Sequence, residues 1–256
     1  MTEKESIYLN IADFNIEINF YPTELEFAKN LKKEEITKYW SGFIVKKPKK
    51  IDFRINFINK NPELFELKKT NKTFFLFYKS LKRSIFTYYF ISFIQLQFLF
   101  RQILFLLLKN KGFIIHCSAV ADKNNNAYLF LGKPGSGKST IASLIKGDFK
   151  QLADDTGIIK KEGKNYFFYQ TPFIEKKELI KNNFKYQVKK IFFLKKDQFF
   201  KIEKIEDKKY ILNRIIKQIF LLENNFKKNE MKILFHLINK IDFYFIFFDK
   251  DKKIDF

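Results

Sequence analysis

One segment of the chain places glycines, a lysine and hydroxyl side chains at a spacing that can hold a row of phosphate groups. The pattern is G-x-x-x-x-G-K-[ST], and its residues are Gly132, Lys133, Pro134, Gly135, Ser136, Gly137, Lys138 and Ser139, with Thr140 directly after them. Glycine allows the tight turns that bring backbone N–H groups to phosphates, and the lysine reaches the β- and γ-phosphates. The serine hydroxyl can hold Mg²⁺. The segment therefore predicts a nucleoside triphosphate site, with Lys138 as a catalytic cation and Ser139 as a magnesium ligand.

The elements expected on either side of this loop fit that interpretation. An apolar stretch at residues 127–131 predicts a strand before the loop, and residues 137–146 predict a helix after it. The amino end of a helix carries a partial positive charge and free N–H groups, which attract anions. The alternative interpretation is a glycine turn before a helix, without a ligand.

A histidine precedes the loop and two carboxylates follow it. His116 lies in the apolar segment 113–120, which predicts one buried strand, and Asp154 and Asp155 close a short strand expected at 149–154. Carboxylates beside bound phosphates can hold Mg²⁺ or accept the proton of an attacking hydroxyl. The alternatives are a hydrogen-bonded core histidine and a polar strand end.

A second motif concerns the choice of base. Residues 239–242 read N-K-I-D, which matches the guanine-binding N-K-x-D element of GTPases. The match lies in a Lys- and Asn-rich tail, and residues 231–240 predict a helix instead of the expected strand. The sequence therefore favours ATP over GTP.

Charge and composition limit the possible partners. The net charge is +21, from 49 Lys and Arg against 28 Asp and Glu, which attracts polyanions. The lysines are spread along the whole chain, so we do not expect nucleic-acid binding. Among the few arginines, Arg101 and Arg214 are the better candidates for stabilising phosphate charge. The chain has one cysteine, Cys117, and so no intramolecular disulfide.

The most apolar stretch, residues 85–108, predicts a long buried helix. A membrane span needs about 20 apolar residues in a row. This stretch contains Arg101 and several Gln and Ser residues, and a charge in the bilayer is costly. With no apolar signal region at the start of the sequence, we expect no membrane span and a cytoplasmic protein.

The remaining pattern predicts two parts, a β-rich region at 1–82 and an α/β domain at 83–256. In the first part, strands are expected at 7–20, 51–58 and 73–79, with a helix at 24–39. In the second, the elements expected beyond those above are a hairpin at 157–169, strands at 188–194 and 242–249, and helices at 207–222 and 228–240.

The order of these motifs resembles the HPr kinase/phosphorylase superfamily, and in particular its shorter HPr serine kinase-related members. The resemblance covers about residues 95–200 and is carried by five segments: His116-Cys117-Ser118-Ala119-Val120, the glycine loop, Leu152-Ala153-Asp154-Asp155, Thr171-Pro172-Phe173 and Lys190–Lys195. It implies a P-loop kinase core of the HPr kinase/phosphoenolpyruvate carboxykinase type, with a mixed sheet. It also implies that Asp154 is the catalytic base, that Asp155 and Ser139 contact Mg²⁺, and that His116 lies near the reacting phosphate.

The expected activity is transfer of the γ-phosphate of ATP, with Mg²⁺, to a hydroxyl of a protein, peptide or small molecule, most often a serine. Two alternatives stay open: a non-kinase ATP-binding accessory or regulatory protein, and a nucleic-acid-directed phosphotransferase. The β-rich region at 1–82 is a candidate for substrate or partner binding.

Overall fold

Strands form most of the regular structure in both parts of the chain. The computed structural model describes residues 4–58, 66–69, 75–81, 83–145, 147–175, 179–221 and 226–249. By its internal contacts the chain divides into two units, residues 1–107 and 108–256. The functional division predicted at 82/83 stays a prediction. Both units contain mixed sheets, which confirms the α/β class in its general form.

The first unit contains one mixed sheet and two helices. Its strands are β1 (Glu5–Ile11), β2 (Phe14–Phe20), β3 (Ile44–Val45), β4 (Phe53–Ile58), β5 (Glu66–Lys69), β6 (Phe75–Leu81) and β7 (Ser84–Tyr88), and its helices are α1 (Glu26–Trp40) and α2 (Phe93–Leu108), of which Leu108 belongs to the second unit. The sheet order is β3-β1-β2-β4-β7-β6-β5, with β4 parallel to β2 and β7. Trp40 at the end of α1 is fully buried and packs against Phe93 and Phe100 of α2.

The predicted helix at 85–108 is wrong in its first part, because residues 84–88 form strand β7. That segment alternates partly buried and buried side chains, and its backbone pairs with β4 and β6. The helix begins only after Ser92, whose side chain accepts from the Gln95 N–H at 3.2 Å while the Gln95 side chain accepts from the Ser92 N–H at 2.9 Å. This reciprocal pair is a capping box, which fixes the start of a helix. None of the helices in the described parts of the chain has the length and apolarity needed to cross a membrane.

The second unit is a sheet with helices on both faces. Its strands are β8 (Gly112–His116), β9 (Ser118–Ala121), β10 (Asn126–Leu131), β11 (Lys150–Ala153), β12 (Thr156–Glu162), β13 (Asn165–Gln170), β14 (Lys185–Lys196), β15 (Lys201–Lys204), β16 (Ile219–Phe220) and β17 (Asp242–Phe248). Its helices are α3 (Lys138–Leu144), α4 (Lys208–Ile215) and α5 (Lys228–Lys240). The main path is β11-β9-β10-β14-β13-β12-β8-β16, and β17 joins it by pairing with β14.

Strands β10, β14 and β17 run parallel, and this arrangement determines where the glycine loop lies. Their pairings match Leu131 with Phe193 and Lys196 with Phe248. The carboxyl ends of all three strands therefore meet at one edge of the sheet, which is where open α/β sheets bind their ligands. The loop leaves β10 at this edge.

Apolar side chains fill the space on both faces of this sheet. Ile141 of α3 is fully buried against Phe130 and Phe192 on one face. Ile215 of α4 and Leu237 of α5 are buried on the other face. Each such side chain stabilises the fold by about 1.5–3 kcal/mol. Because both faces are packed, the strand ends at the loop edge are held in fixed positions.

Two predicted elements of the second unit are corrected. The segment 113–120 is two strands, because the chain changes neighbours at Cys117: β8 pairs with β12 and β16, and β9 pairs with β10 and β11. The helix predicted at 207–222 ends at Ile215, and a 3-10 turn over 216–218 leads into β16. The two residues of β16 pair with the edge of β8, which offers backbone partners that a longer helix could not use.

Candidate functional site

The glycine loop adopts a conformation that requires its glycines. Gly135 has φ +75° and Gly137 has φ +95°, both in the left-handed region that side chains disfavour. A Cβ atom on Gly137 would also lie 2.7 Å from Cζ of Phe248. The first α-helical bond after the loop runs from the Ile141 N–H to the Gly137 carbonyl, at 2.8 Å, so the N–H groups of the helix start before it have no intrahelical acceptor. Helix α3 has only seven residues, so the case for anion binding rests on the loop and Lys138 rather than on a long helix dipole.

Lys138 is buried at the start of α3 and points back into the loop. Its Nζ donates to the carbonyls of Gly132, at 2.9 Å, and Lys133, at 3.3 Å. These contacts hold an ammonium group against the concave side of the loop. A phosphate in the loop would meet this cation without a large movement of the side chain.

A two-residue bend between β11 and β12 brings the carboxylates to the same edge. The carbonyl of Asp155 accepts from the Cys117 N–H at 3.1 Å, and the carbonyl of Asp154 accepts from the Ser118 hydroxyl at 3.2 Å. The bend is therefore fixed to the point where β8 passes into β9. This explains why a histidine distant in sequence lies beside the two aspartates. Burial raises the pKa of the Cys117 thiol well above its usual range, so Cys117 is not a thiolate nucleophile.

His116 and Asp155 form a direct pair. His116 Nε2 lies 3.0 Å from Asp155 Oδ1, so Nε2 carries the proton that the carboxylate accepts. The other oxygen of Asp155 accepts from the Thr156 hydroxyl at 3.3 Å. The bond from His116 holds the pKa of Asp155 below its usual range, with Lys138 adding to the effect. Asp155 is thus a charged, half-exposed carboxylate at neutral pH.

Asp154 has different surroundings from Asp155. It is buried, its backbone N–H donates to Glu175 Oε2 at 2.6 Å, and its own Oδ1 has no hydrogen-bond partner among the described residues. A buried carboxylate oxygen without a partner is unfavourable unless a ligand supplies a donor or a cation. Asp154 Oδ1 is therefore the atom of this site that most needs a ligand.

These groups line one cleft of about 460 Å³, which we call the loop cleft. Its lining residues are His116, Pro134, Gly135, Gly137, Lys138, Ser139, Thr140, Asp154, Asp155, Lys196 and Phe248. Gly132 and Lys133 line a neighbouring cleft instead. Ser136 lines neither, because its side chain turns onto Gly132.

Four side chains at or behind the site were missed in the sequence. Lys196 and Phe248 end strands parallel to β10, so the strand-end rule could have indicated them; the abundance of lysine and phenylalanine hid both. Glu175 and Lys181 lie behind Asp154, with their charged atoms 3.7 Å apart. No motif marks this pair, because residues 171–184 form no regular element in the described part of the segment.

The residues present fit a magnesium ion that is shared with phosphates. In the described ranges no group of three or more His, Cys, Asp and Glu side chains could hold a metal alone. Mg²⁺ commonly uses one or two carboxylates and completes its shell with waters and substrate phosphates. The charged Asp155 and the Ser139 hydroxyl supply such a donor set in one cleft.

The N-K-x-D match lies away from the loop. Asn239 is in helix α5, where its side chain accepts from Lys208 at 2.6 Å, and Asp242 pairs with Lys204 at 3.1 Å. Asp242 begins β17, whereas the loop edge is at the other end of that strand. This agrees with the expectation that the match is not a guanine-binding element.

Comparison with known proteins gives only weak structural similarity. No protein-family model matches the sequence, and no curated protein matches it. Among solved structures, the chain is similar to the HPr(Ser) kinase/phosphatase from Coxiella burnetii. The identity is 14%, the alignment covers 53% of this chain and 85% of that chain, and the TM-score is 0.29. That score is too low to assign a shared fold, so membership of the HPr kinase superfamily stays a prediction.

Proposed function

We propose that this chain is a phosphotransferase that moves the γ-phosphate of ATP, bound with Mg²⁺, to a hydroxyl group. The observation that carries the proposal is the loop cleft, in which the glycine loop and Lys138 face a charged carboxylate and a buried, unpartnered one. A phosphate loop alone would serve any nucleotide-binding protein. The carboxylate pair adds the groups that phosphoryl transfer to a hydroxyl needs.

The loop amides and Lys138 hold the phosphates and offset the negative charge that develops on them. Asp155 and Ser139 would hold Mg²⁺, which would supply further charge neutralisation. The acceptor oxygen bonds to the γ-phosphorus as the bond from that phosphorus to the β–γ bridging oxygen breaks, which leaves ADP. The acceptor proton passes to Oδ1 of Asp154, the oxygen without a partner in the described structure.

Two further side chains support these steps. His116 donates to Asp155 and so keeps that carboxylate charged and fixed in direction. Lys196, at the end of β14, also lines the loop cleft and adds a positive charge to its surroundings. Both contributions are electrostatic and need no proton transfer.

The experiment compares nucleotide binding and phosphoryl transfer in the same variants. The protein is incubated with γ-labelled ATP, Mg²⁺ and the products of neighbouring genes or fractionated extract, and phosphorylated species are identified by mass spectrometry. Asp154→Asn is expected to keep ATP binding and to lose transfer by about 10²-fold or more. Asp155→Asn is expected to raise the Mg²⁺ concentration needed for ATP binding.

The matched control is Asp148→Asn, which changes an exposed aspartate outside the loop cleft. It should leave binding and transfer unchanged. ATP binding without transfer to any acceptor would favour the accessory or regulatory function. Full transfer by Asp154→Asn would show that another group accepts the proton.

A further inference from the structure

A second cleft adjoins the loop cleft on the other side of the glycine loop. It has a volume of about 260 Å³, and we call it the Arg214 cleft after the guanidinium that lines it. Its lining residues are His116, Gly132, Lys133, Pro134, Phe193, Arg214, Lys217 and Gln218. His116 and Pro134 line both clefts. The two clefts are therefore neighbours, with the first half of the glycine loop between them.

The fold fixes the Arg214 cleft next to His116. Strand β16 pairs with β8, with Ile219 opposite Ile115, so the turn that carries Lys217 and Gln218 lies at the level of His116. Arg214 is held at the end of α4 with its guanidinium carbon 5.8 Å from the ring of Phe193 and 5.6 Å from the ring of Tyr210. Such cation–π contacts orient the guanidinium, while its N–H donors, which lie in the plane of the guanidinium, stay available for a ligand.

The charged side chains that line the Arg214 cleft are all positive. Arg214, Lys217 and Lys133 are cationic, and no carboxylate is among the described residues that line the cleft. A concave space with cations of one sign attracts an anion, and an arginine fork matches a carboxylate or phosphate in two hydrogen bonds. The positive lining therefore favours a ligand that carries an anionic group.

A buried acceptor atom adds a second requirement. Oε1 of Gln218 is inaccessible to solvent and accepts no hydrogen bond from the residues that the structure describes. Such an atom is satisfied by a ligand that carries a donor, such as a hydroxyl. Three cationic lining residues, beside a lining residue whose buried acceptor lacks a donor, point to a compound with both an anionic group and an O–H.

We propose that the Arg214 cleft binds the acceptor of the phosphoryl group, and that this acceptor is a small hydroxyl compound with a carboxylate or phosphate group. The inference rests on the proposed function and names its substrate class. The volume lies just below the range of about 300–1,000 Å³ for pockets of drug-sized ligands, so it fits a small molecule or a single side chain. Because His116 and Pro134 border both clefts, an acceptor here is next to the start of the phosphate loop.

The first experiment measures binding without catalysis. Ligand-observed NMR compares glycerate with glycerol, lactate with 1,2-propanediol, and glycerol 3-phosphate with glycerol, in wild-type protein and in Lys138→Ala. The anionic member of at least one pair is expected to bind about tenfold more tightly than its neutral partner. That preference should persist in Lys138→Ala, since Lys138 lines only the loop cleft. The first two pairs report on carboxylate and the third on phosphate. No preference for any anion, or its loss in Lys138→Ala, would overturn the inference.

The second experiment uses variants of the cleft itself. Arg214→Met and Lys217→Met are each expected to weaken binding of the preferred anion, and to raise its KM as acceptor, by about tenfold. Binding of ATP should not change. The matched control, Lys209→Met, removes an exposed lysine from the first turn of α4 outside both clefts. If Arg214 acts on the transferred phosphate instead, kcat falls and acceptor affinity stays constant, which refutes the inference.

The two proposals fail in different ways. A chain that binds no ATP contradicts the proposed function, whatever the result with anions. A chain that binds ATP and phosphorylates neutral hydroxyl compounds as well as anionic ones keeps the function and loses this inference.

Discussion

Replacing Lys181 by Met is expected to destabilise the protein far more than replacing its partner Glu175 by Gln. The side chains are 14% and 2% exposed and their charged atoms lie 3.7 Å apart. Burial raises the pKa of Glu175, and the charges of Asp154 and Asp155 raise it further. Burial also lowers the pKa of Lys181. Both shifts mean that desolvation exceeds the mutual attraction, so the charged pair is tolerated rather than strongly stabilising.

The size of the effect follows from charge and distance. Coulomb's law with an effective dielectric constant of about 20 gives about 4.5 kcal/mol at this separation. Without Lys181, however, Glu175 can take up a proton, and protonating a carboxyl of ordinary pKa at pH 7 costs about 3 kcal/mol. The charge contribution to the loss in Lys181→Met is therefore limited to about 3 kcal/mol, and the carbonyls of Thr171 and Phe173, which lose the Lys181 donor, add to this loss. Glu175→Gln keeps an oxygen for the Asp154 N–H and removes repulsion from two aspartates, so it should stay within about 1 kcal/mol of wild type.

The destabilisation by Lys181→Met should depend on pH in a definite direction. Without Lys181, the pKa of Glu175 rises further, since Lys181 is the charge that lowers it. The folded state then binds this proton more tightly than the unfolded chain. The stabilisation that this proton gives the folded state is fully present below pH 4.5, the ordinary pKa of the carboxyl. It is lost as the pH rises through the raised pKa of Glu175. The deficit of Lys181→Met should accordingly shrink as the pH falls from about 8 to about 5.

Urea unfolding followed by far-UV circular dichroism measures these free energies of unfolding, with Lys189→Met as the control for an exposed lysine of β14. The double variant Glu175→Gln/Lys181→Met should recover the charge contribution to the loss, because no charge is then left without a partner, and should keep the part that comes from the Thr171 and Phe173 carbonyls. Equal losses at both pH values, or a Glu175→Gln variant as unstable as Lys181→Met, would refute the reasoning.

Three other changes test the structure around the loop cleft. Gly137→Ala combines φ +95° with a Cβ 2.7 Å from the Phe248 ring. It should therefore lose about 1–3 kcal/mol of stability, measured by urea unfolding. It should also weaken ATP binding, measured by calorimetry. Gly157→Ala would place a Cβ 2.1 Å from the Phe168 ring; it should lower stability by a similar amount, about 1–3 kcal/mol, and the folded fraction should still bind ATP with wild-type affinity. Ser139→Ala should weaken ATP binding about tenfold with Mg²⁺ present and little with EDTA, in the same calorimetric titration.

Local sequence patterns predicted much of the second unit and part of the first. The hairpin at 157–169, the strand at 242–249 and the helix at 228–240 are close to β12–β13, β17 and α5, since alternation and helical periodicity are local properties. Pairing with distant strands is not local. The strand at 84–88 and the end of α4 at Ile215 depend on neighbours that no pattern within these segments shows.

The sequence predicted those site residues that belong to a motif with defined spacing. It did not predict the residues that only the strand topology brings to the site. The glycine loop carries its own signature, and the sequence order of His116, the loop and the aspartates agrees with their meeting in one cleft. Glu175 and Lys217 lie in segments without a motif. They reach the site only because one contacts the Asp154 backbone and the other precedes a strand that pairs with β8.

The contrast between Asp154 and Asp155 follows from this topology. The two residues are adjacent in a bend whose carbonyls are fixed to the start of β9, so their side chains meet different surroundings. Asp155 is half-exposed and committed to His116, which keeps it charged and suits it to a cation. The bond from His116 lowers the pKa of Asp155, which makes this carboxylate a weaker acceptor for the proton of a hydroxyl. Asp154 has an oxygen with no bond to lose among the described residues. In the reaction that we propose, Asp154 therefore accepts the proton and Asp155 binds the cation, because these roles suit the surroundings of the two carboxylates.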